Sequence, residues 1–338
     1  MTGGLDTAAL HGWLRAQGFA GAAAPAVSVL AGGQSNPTYR IRTDAGDYVL
    51  RKKPAGPLLP SAHAIDREYR VMQALAGSGV AVPRMLAWCG DTSIIGTDFF
   101  LMEFLDGRVL ADPALPQCAP GERAAIYREM ARVIARLHSV DVEALGLSSF
   151  GKPGNYVARQ VARWVDQCSR STIALPPAMR ELMEWLPAHV PADAATCLVH
   201  GDFRIDNLVF HATEPRVIGV LDWELSTLGD PLADFSYHCM AWRVDPALWR
   251  GIGGLDLQAL GIPSEAEHVR AYAQATGRAI AHWDYYMAYN LFRMAAILHG
   301  IAQRAAVGTA AAGDAVAVGA RARPLAELAL AIARGKGA

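Results

Sequence analysis

Residues 197–210 read Cys197-Leu-Val-His-Gly-Asp-Phe-Arg-Ile-Asp-Asn-Leu-Val-Phe210. An apolar strand runs into a polar turn that ends at Asp202, and Asn207 follows five residues later. After a polar turn, a second apolar strand at 217–221 leads into Asp222-Trp-Glu. This alternation of strand and turn predicts a hairpin with Asn207 and Asp222 at opposite ends.

These three polar residues suit a divalent cation and a phosphate group. Mg²⁺ prefers a few protein oxygen ligands, with phosphate oxygens and waters completing its octahedron, and Asn207 and Asp222 offer such oxygens. Asp202 would lie on a loop beside them, where a carboxylate can accept the proton of an attacking hydroxyl. The alternative is that all three only cap turns or end strands. The ordered set between apolar strands is far more specific than a lone D-x-x-x-x-N.

This constellation resembles the catalytic core of the protein-kinase-like superfamily, and within it the aminoglycoside phosphotransferase and choline kinase branch. The chain is more specifically similar to the phosphotransferase domain fused to some acyl-CoA dehydrogenases and to its bacterial stand-alone relatives. The resemblance implies an ATP- and Mg²⁺-dependent kinase with an α+β, two-lobed fold. The similarity is carried by three stretches: Gly32–Tyr39, Tyr48–Tyr69 and Val199–Asp234.

The first part of the chain predicts a small antiparallel sheet. Its β-like runs are Val27–Leu30, Thr38–Arg42, Tyr48–Lys52 and Phe99–Phe104, and Gly, Asn and Asp separate them. After residue 106 the apolar spacing becomes helical. We therefore expect an N-terminal nucleotide-binding lobe at 1–105 and a larger, mainly helical catalytic and substrate-binding lobe at 106–338.

One carboxylate falls on the apolar side of a predicted helix at 61–75. Glu68 would be costly there unless it is paired, and the basic strand Tyr48-Val-Leu-Arg-Lys-Lys offers partners. Arg51 and Lys53 share one face of that strand. In kinase-like proteins a strand Lys paired to a helix Glu holds the nucleotide phosphates, and the resemblance puts Arg51 at that position, with Lys53 as the alternative.

The resemblance also implies further nucleotide-binding positions. A glycine-rich turn with Gly33, Ser35 and Asn36 would cover the phosphates, since glycine lets backbone N–H groups approach them closely. A hinge strand would hold adenine through the backbone of Glu103, Phe104 and Leu105, with Met102 lining the pocket. Arg204, two residues after Asp202, would neutralise charge on the transferred phosphoryl group. An ordinary hairpin, edge strand and surface arginine are the alternatives.

Composition limits the partners. The chain has 338 residues with 31 Lys and Arg against 32 Asp and Glu, which gives no support for nucleic acid as a partner. No uncharged apolar run reaches about 20 residues, so we expect no membrane span. The first ten residues contain no Lys or Arg, unlike a secretory signal, and five scattered cysteines suggest no disulfide framework. A cytoplasmic location fits best.

The acceptor is left open among several hydroxyl compounds. Residues 235–338 carry ten Lys and Arg against seven Asp and Glu, a balance of 10 − 7 = +3. This favours an anionic small molecule over the cations taken by aminoglycoside 3′-type or choline/homoserine-type kinases. The resemblance suggests a hydroxyacyl-CoA as the acceptor. The alternative function is a nucleotide-binding regulator without catalysis, and the sequence does not indicate the oligomeric state. A helix at 284–294 would line the acceptor pocket or form core, and Asp230 would fix the catalytic loop.

Overall fold

The computed structural model describes residues 5–30, 36–54, 64–192, 195–307 and 314–336. The chain forms two compact units, one made of 1–109 and 207–226 and the other of 110–206 and 227–338. The sequence predicted one boundary near 105, with everything after it in the second lobe. The structure differs because the segment 207–226 belongs to the first unit, where it pairs with a strand that follows the first sheet.

The first unit contains the predicted antiparallel sheet. The elements are α1 (Thr7–Ala16), β1 (Ala26–Val29), β2 (Thr38–Arg42), β3 (Asp47–Lys52), α2 (Ile65–Leu75), β4 (Met85–Cys89), α3 (Thr92–Ile95) and β5 (Phe99–Glu103). The strand order is β1-β2-β3-β5-β4, so β3, the basic strand, lies at the centre and is buried from Val49 to Lys52. The helix α1 covers the sheet, and the ring of Trp13 meets that of Phe99 edge-on at 4.9 Å.

A second, three-stranded sheet completes the first unit. It consists of β6 (Gly107–Val109), β8 (Leu208–His211) and β9 (Val217–Val220), in the order β6-β8-β9. Gly107 is required at this crossing, because a Cβ there would lie 2.3 Å from the carbonyl oxygen of Phe210. The apolar strands read from the sequence on either side of the polar turn are therefore a hairpin, as predicted.

The second unit is mainly helical, around a short antiparallel ladder of two strands. Its longest helix is buried on almost every side from Tyr285 to His299, which explains why it shows no clear polar face. The elements are α4 (Pro120–Leu137), α5 (Tyr156–Ser169), α6 (Pro177–Ala188), β7 (Cys197–Val199), β10 (Thr227–Gly229), α7 (Pro231–Cys239), α8 (Leu257–Leu260), α9 (Glu265–Thr276), α10 (Trp283–Ala306), α11 (Ala315–Ala320) and α12 (Ala322–Ala333).

All five cysteines are buried and carry free thiols. Among the described residues, none of the helices combines the length and the apolarity that a membrane crossing needs.

Candidate active site

Antiparallel pairing brings the two ends of the predicted hairpin together. The N–H of Leu221 donates to the carbonyl of Asn207 at 2.8 Å, so Asp222, the next residue, stands at the same open end as Asn207. Asp222 adopts the left-handed conformation, with φ 66° and ψ 57°, which is uncommon for a residue with a side chain. Such backbone strain clusters at functional sites, where the surrounding structure holds it in place.

Arg51 joins the central strand to that end of the hairpin. Its Nε donates to Oε2 of Glu68 at 2.7 Å, and its Nη2 donates to Oδ1 of Asp222 at 2.7 Å. Nη2 also lies 4.0 Å from Oε2 of Glu224. The predicted contact between the helix carboxylate and a basic residue of the strand is therefore present, and Arg51 makes it.

The charges around this guanidinium do not balance. Burial by itself would lower the pKa of Arg51, but Glu68, Asp222 and Glu224 outweigh that effect and raise it. Burial raises the pKa of Glu68 to about 7, against the attraction of Arg51. Three carboxylates facing one guanidinium leave an excess of negative charge when all are ionised, which a divalent cation would neutralise.

The donor set fits Mg²⁺. Asp222 has a carboxylate oxygen besides the one that Arg51 contacts, its side chain is 30% exposed, and Asn207 supplies an amide oxygen at the same end of the hairpin. Hard cations of this kind take carboxylate and amide oxygens and keep several waters. That these two residues hold the ion stays a prediction.

The two other basic and polar positions of this unit have different partners. The Nζ of Lys53 pairs with Oδ2 of Asp98 at 2.7 Å, so it is held away from the carboxylates around Arg51. Asn36 is fully buried, and its Nδ2 donates to Oε2 of Glu224 at 3.3 Å. Gly33 and Ser35, the other predicted phosphate-loop positions, lie outside the described residues.

The predicted hinge is only partly available to a base. The N–H of Glu103 donates to the backbone carbonyl of Arg84 at 3.0 Å, and that of Phe104 donates to the backbone carbonyl of Asp47 at 3.4 Å. The N–H of Leu105 has no acceptor in the part of the chain that the structure describes. Met102 is buried in β5. Of the three backbone N–H groups at this hinge, that of Leu105 is therefore the one left open to a ligand among the described residues. Hydrogen bonding of adenine by the backbone of Glu103 to Leu105 stays a prediction.

In the second unit, one buried carboxylate fixes the catalytic loop. Asp234 accepts the backbone N–H of His200 at 2.7 Å and that of Gly201 at 2.8 Å, one on each oxygen. His138 Nε2 lies 3.1 Å from the same carboxylate. Although burial would raise the pKa of Asp234, the contacts with His138 and the loop hold it below its usual value. Arg293 closes the other side by donating to the Gly201 carbonyl at 2.8 Å.

Asp230 does not fix this loop, contrary to the prediction. Its Oδ1 accepts the N–H groups of Leu232 and Ala233 at 2.7 and 3.3 Å, so it is the N-cap of α7, and Tyr286 donates to its Oδ2 at 2.8 Å. The two acidic residues of the Gly-Asp-Pro-Leu-Ala-Asp segment thus have different roles. Asp230 caps the N-terminus of α7, and Asp234, one turn later, accepts the N–H groups of the loop at His200 and Gly201.

Asp202 is held by two side chains. The hydroxyl of Tyr237 donates to its Oδ1 at 2.5 Å, and Nε of Arg204 lies 3.0 Å from the same oxygen. Nη1 of Arg204 lies 3.5 Å from Oδ2 of Asp206. Burial would lower the pKa of Arg204, yet Asp202, Tyr237 and Asp206 raise it. The arrangement fixes a carboxylate beside a permanent cation, as expected where a proton leaves a hydroxyl and negative charge develops on a phosphoryl group.

Comparison with known proteins identifies the family of this chain. The model of the phosphotransferase enzyme family matches residues 26–289. The chain belongs to this phosphotransferase family. Mouse acyl-CoA dehydrogenase family member 10 is 50% identical over 300 residues, which cover 88% of this chain and 28% of that protein. The probable acyl-CoA dehydrogenase IBR3 of Arabidopsis thaliana is 46% identical over 307 residues, covering 85% and 37%. The chain thus spans about a third of the length of these curated relatives.

Solved structures carry the same fold. A Ralstonia eutropha protein assigned to the aminoglycoside phosphotransferases is 52% identical, covers 98% of this chain and 99% of its own, and gives a TM-score of 0.89. An aminoglycoside phosphotransferase crystallised with AMP-PNP and hygromycin B covers 94% and 98% at 14% identity, with a TM-score of 0.61. The two-lobed, protein-kinase-like fold predicted from the sequence is confirmed. The protein is a small-molecule phosphotransferase, an enzyme that transfers phosphate to a hydroxyl group.

Sequence reasoning missed two positioning residues of this phosphotransferase. Tyr237 and Glu224 contact Asp202 and Arg51 respectively, but neither was singled out. A signal existed for Tyr237, because it lies one helical turn after Asp234 and so points from α7 in a similar direction. The helix at 284–294, for which the sequence left pocket wall and core as alternatives, is both: Tyr286, Asn290 and Arg293 make buried hydrogen bonds within the unit, whereas Leu291 and Met294 line a cavity.

Proposed function

We propose that this phosphotransferase uses ATP and Mg²⁺ and transfers the γ-phosphoryl group to the hydroxyl of an anionic acceptor, a hydroxyacyl-CoA. The observation that carries the proposal is the Asp202 carboxylate, which Tyr237 and Arg204 hold at the end of a loop fixed by Asp234. A structural turn has no need of a carboxylate held by a tyrosine hydroxyl and a half-buried guanidinium. A base that must meet an incoming hydroxyl does need it.

In the chemical step, the acceptor oxygen forms a bond to the γ-phosphorus while the bond to the bridging β-oxygen breaks. The hydroxyl proton passes to Asp202, and ADP leaves. Because the transition state of phosphoryl transfer is loose, orientation of the hydroxyl and neutralisation of charge supply most of the rate. Arg204 lies beside the carboxylate that takes the proton and would stabilise negative charge on the transferred group.

The first unit would hold the nucleotide. Arg51, steadied by Glu68, would bind phosphate oxygens, and Asn207 with Asp222 would hold Mg²⁺, which would supply further charge neutralisation. The Leu105 N–H would donate to adenine, and the phosphate loop at 33–36 would cover the phosphates. AMP-PNP in a related structure supports use of a nucleotide by this fold.

Two observations support an anionic acceptor: the charge balance of residues 235–338 and the names of the curated relatives. The segment 235–338 has a positive balance, which suits an anionic acceptor and disfavours a polycation such as an aminoglycoside. Two curated relatives bear names from acyl-CoA chemistry. A hydroxyl on an acyl chain attached to coenzyme A meets both conditions, since the coenzyme carries several phosphates.

The test is coupled detection of ADP release with Mg·ATP over a panel of acceptors. The panel contains hydroxyacyl-CoAs, amino alcohols, sugars and aminoglycosides, each with and without enzyme. We expect acceptor-dependent release with hydroxyacyl-CoAs alone. Release with kanamycin or choline instead would overturn the acceptor class, and tight ATP binding by calorimetry without transfer to any acceptor would favour a regulator without catalysis.

A further inference from the structure

The helical unit contains a cavity that the proposed reaction leaves unassigned. It has a volume of about 60 Å³, and its walls are mostly apolar. Three methionines, Met130, Met240 and Met294, line it together with Leu291 and Leu325. Methionine side chains are flexible and polarizable, so they adapt to apolar guests of irregular shape.

The cavity has a polar mouth with an excess of positive charge. Arg250 forms an ion pair with Asp206, whose carboxylate also lies 3.5 Å from Arg204, and all three residues line the cavity. The side chain of Arg250 is 52% exposed, so it can meet a ligand from solvent. The guanidinium of Arg321 stacks over Trp249, another lining residue, at 5.3 Å. The guanidinium groups of Arg204, Arg250 and Arg321 thus outnumber the two carboxylates, Asp202 and Asp206, by one, and this balance favours an anion over a polycation.

Two lining residues connect the cavity to Asp202. Tyr237 forms part of the wall, and its hydroxyl donates to Asp202 at 2.5 Å. Arg204 also lines the cavity and pairs with the same carboxylate at 3.0 Å. Tyr237 and Arg204 therefore contact Asp202 on one side and line the apolar cavity on the other. When the hydroxyl of an acceptor reaches Asp202, the carbon atoms next to that hydroxyl lie close to this cavity.

We infer that this cavity binds the hydrocarbon chain of the acceptor, while the arginines at its mouth bind the anionic end of the same molecule. The inference rests on the proposed function, because it takes Asp202 as the group that meets the hydroxyl. The cavity is of limited volume, so it accepts a hydrocarbon chain of limited length without rearrangement. The methionine walls therefore set the chain length that the enzyme prefers.

The experiment compares kcat/KM for hydroxyacyl-CoAs from four to twelve carbons in three variants. Met294→Ala enlarges the cavity, Met294→Phe narrows it, and Met179→Ala removes a buried methionine of α6 that does not line it. We expect Met294→Ala to move the ratio of long-chain to short-chain kcat/KM about tenfold upward, and Met294→Phe to move it downward. Met179→Ala keeps the wild-type ratio even where its stability falls. An unchanged ratio in both Met294 variants overturns the inference.

The ratio separates this inference from the proposed function. If the wild type phosphorylates no hydroxyacyl-CoA, the proposed function fails, and the cavity is then tested by calorimetry with straight-chain alcohols from butanol to octanol. Binding that Met294→Phe weakens at least fivefold, while Met179→Ala leaves it intact, supports a hydrocarbon site. Absence of alcohol binding to the wild type overturns it. Arg250→Gln adds a further readout, since it should raise KM for the acyl-CoA and leave binding of the uncharged alcohols unchanged.

Discussion

The hydroxyl of Tyr237 donates a 2.5 Å hydrogen bond to Oδ1 of Asp202. The donor comes from α7, and the acceptor lies on the loop after β7, so the bond ties the orientation of a reactive carboxylate to a buried helix. Bonds of this kind, to a charged acceptor, are worth about 1.5–3 kcal/mol. Their value for catalysis lies in holding one rotamer of the base.

Tyr237→Phe should lower kcat about tenfold and change the KM for ATP little, because it releases Asp202 without touching the nucleotide unit. Steady-state kinetics of both substrates measures this. The matched control is Tyr285→Phe, which removes a buried hydroxyl bonded to the Leu186 carbonyl at 3.0 Å and should keep wild-type kcat. Equal losses in the two variants would mean that the Tyr237 hydroxyl acts on stability alone.

Arg51→Gln and Lys53→Gln decide which basic residue of β3 binds the phosphates. Arg51 lies among the carboxylates at the open end of the hairpin, whereas Lys53 pairs with Asp98. We expect the Arg51 variant to raise the KM for ATP at least tenfold and the Lys53 variant to change it less than twofold. Initial rates over a range of ATP concentrations give both values. The reverse order would transfer the phosphate-binding role to Lys53.

Asp222→Asn should raise the Mg²⁺ concentration needed for half-maximal rate about tenfold or more, because an amide replaces the charged oxygen ligand. A titration of Mg²⁺ at saturating ATP measures it, and EDTA should abolish the wild-type rate. Asp47→Asn is the control, since Asp47 is an Asp of similar exposure in the same unit that pairs with Arg40 and Arg42. An unaltered Mg²⁺ requirement in Asp222→Asn would remove this residue from the metal site.

A pair of buried histidines predicts acid sensitivity of the helical unit. Nε2 of His238 lies 2.9 Å from Nε2 of His268, and burial lowers the pKa of His238 to about 4 and that of His268 well below its usual value. At these two positions the unfolded chain therefore binds more protons than the folded chain as the pH falls below about 6.5. The stability contributed by the neutral histidines is fully present above that pH and is lost towards pH 4, by on the order of 3 kcal/mol for His238.

Urea unfolding at pH 7.5, 6.5, 5.5 and 4.5 measures this decline. His268→Phe keeps an aromatic ring beside Phe235 and Trp242 but removes one of the two titrating groups, so its free energy of unfolding should fall less steeply with pH. His189→Phe, at an exposed position, should retain the wild-type slope. A wild-type slope in His268→Phe would contradict this account of the pair.

The sequence contained the order of the reactive residues but not their mutual contacts. The polar turns after apolar strands placed Asp202, Asn207 and Asp222, and the carboxylate on an apolar helix face required a partner such as Arg51, because these signals are local or follow from the cost of a buried charge. Asp230 and Asp234 both begin the same helix, and no local pattern says which one caps it and which one reaches the loop.

The cavity and the unit boundary are tertiary features. The cavity walls include residues of α4, α7, α10 and α12, among them Tyr127 and Leu325, which are 325 − 127 = 198 positions apart in the sequence. Apolar residues at helical spacing predict burial without predicting a void. The segment 207–226 returns to the first unit because it pairs with β6, and strand pairing over a hundred residues of intervening chain leaves no periodic signal.

The role of Asp202 in phosphoryl transfer is tested by the yield of phosphorylated hydroxyacyl-CoA, measured by mass spectrometry after incubation with Mg·ATP, for the wild type and for Asp202→Asn. We expect a product heavier by one phosphate, formed with equal release of ADP, and a rate at least about a hundredfold lower in the variant, whose circular dichroism matches the wild type. A folded Asp202→Asn protein that forms this product at the wild-type rate would rule out Asp202 as the group that takes the proton.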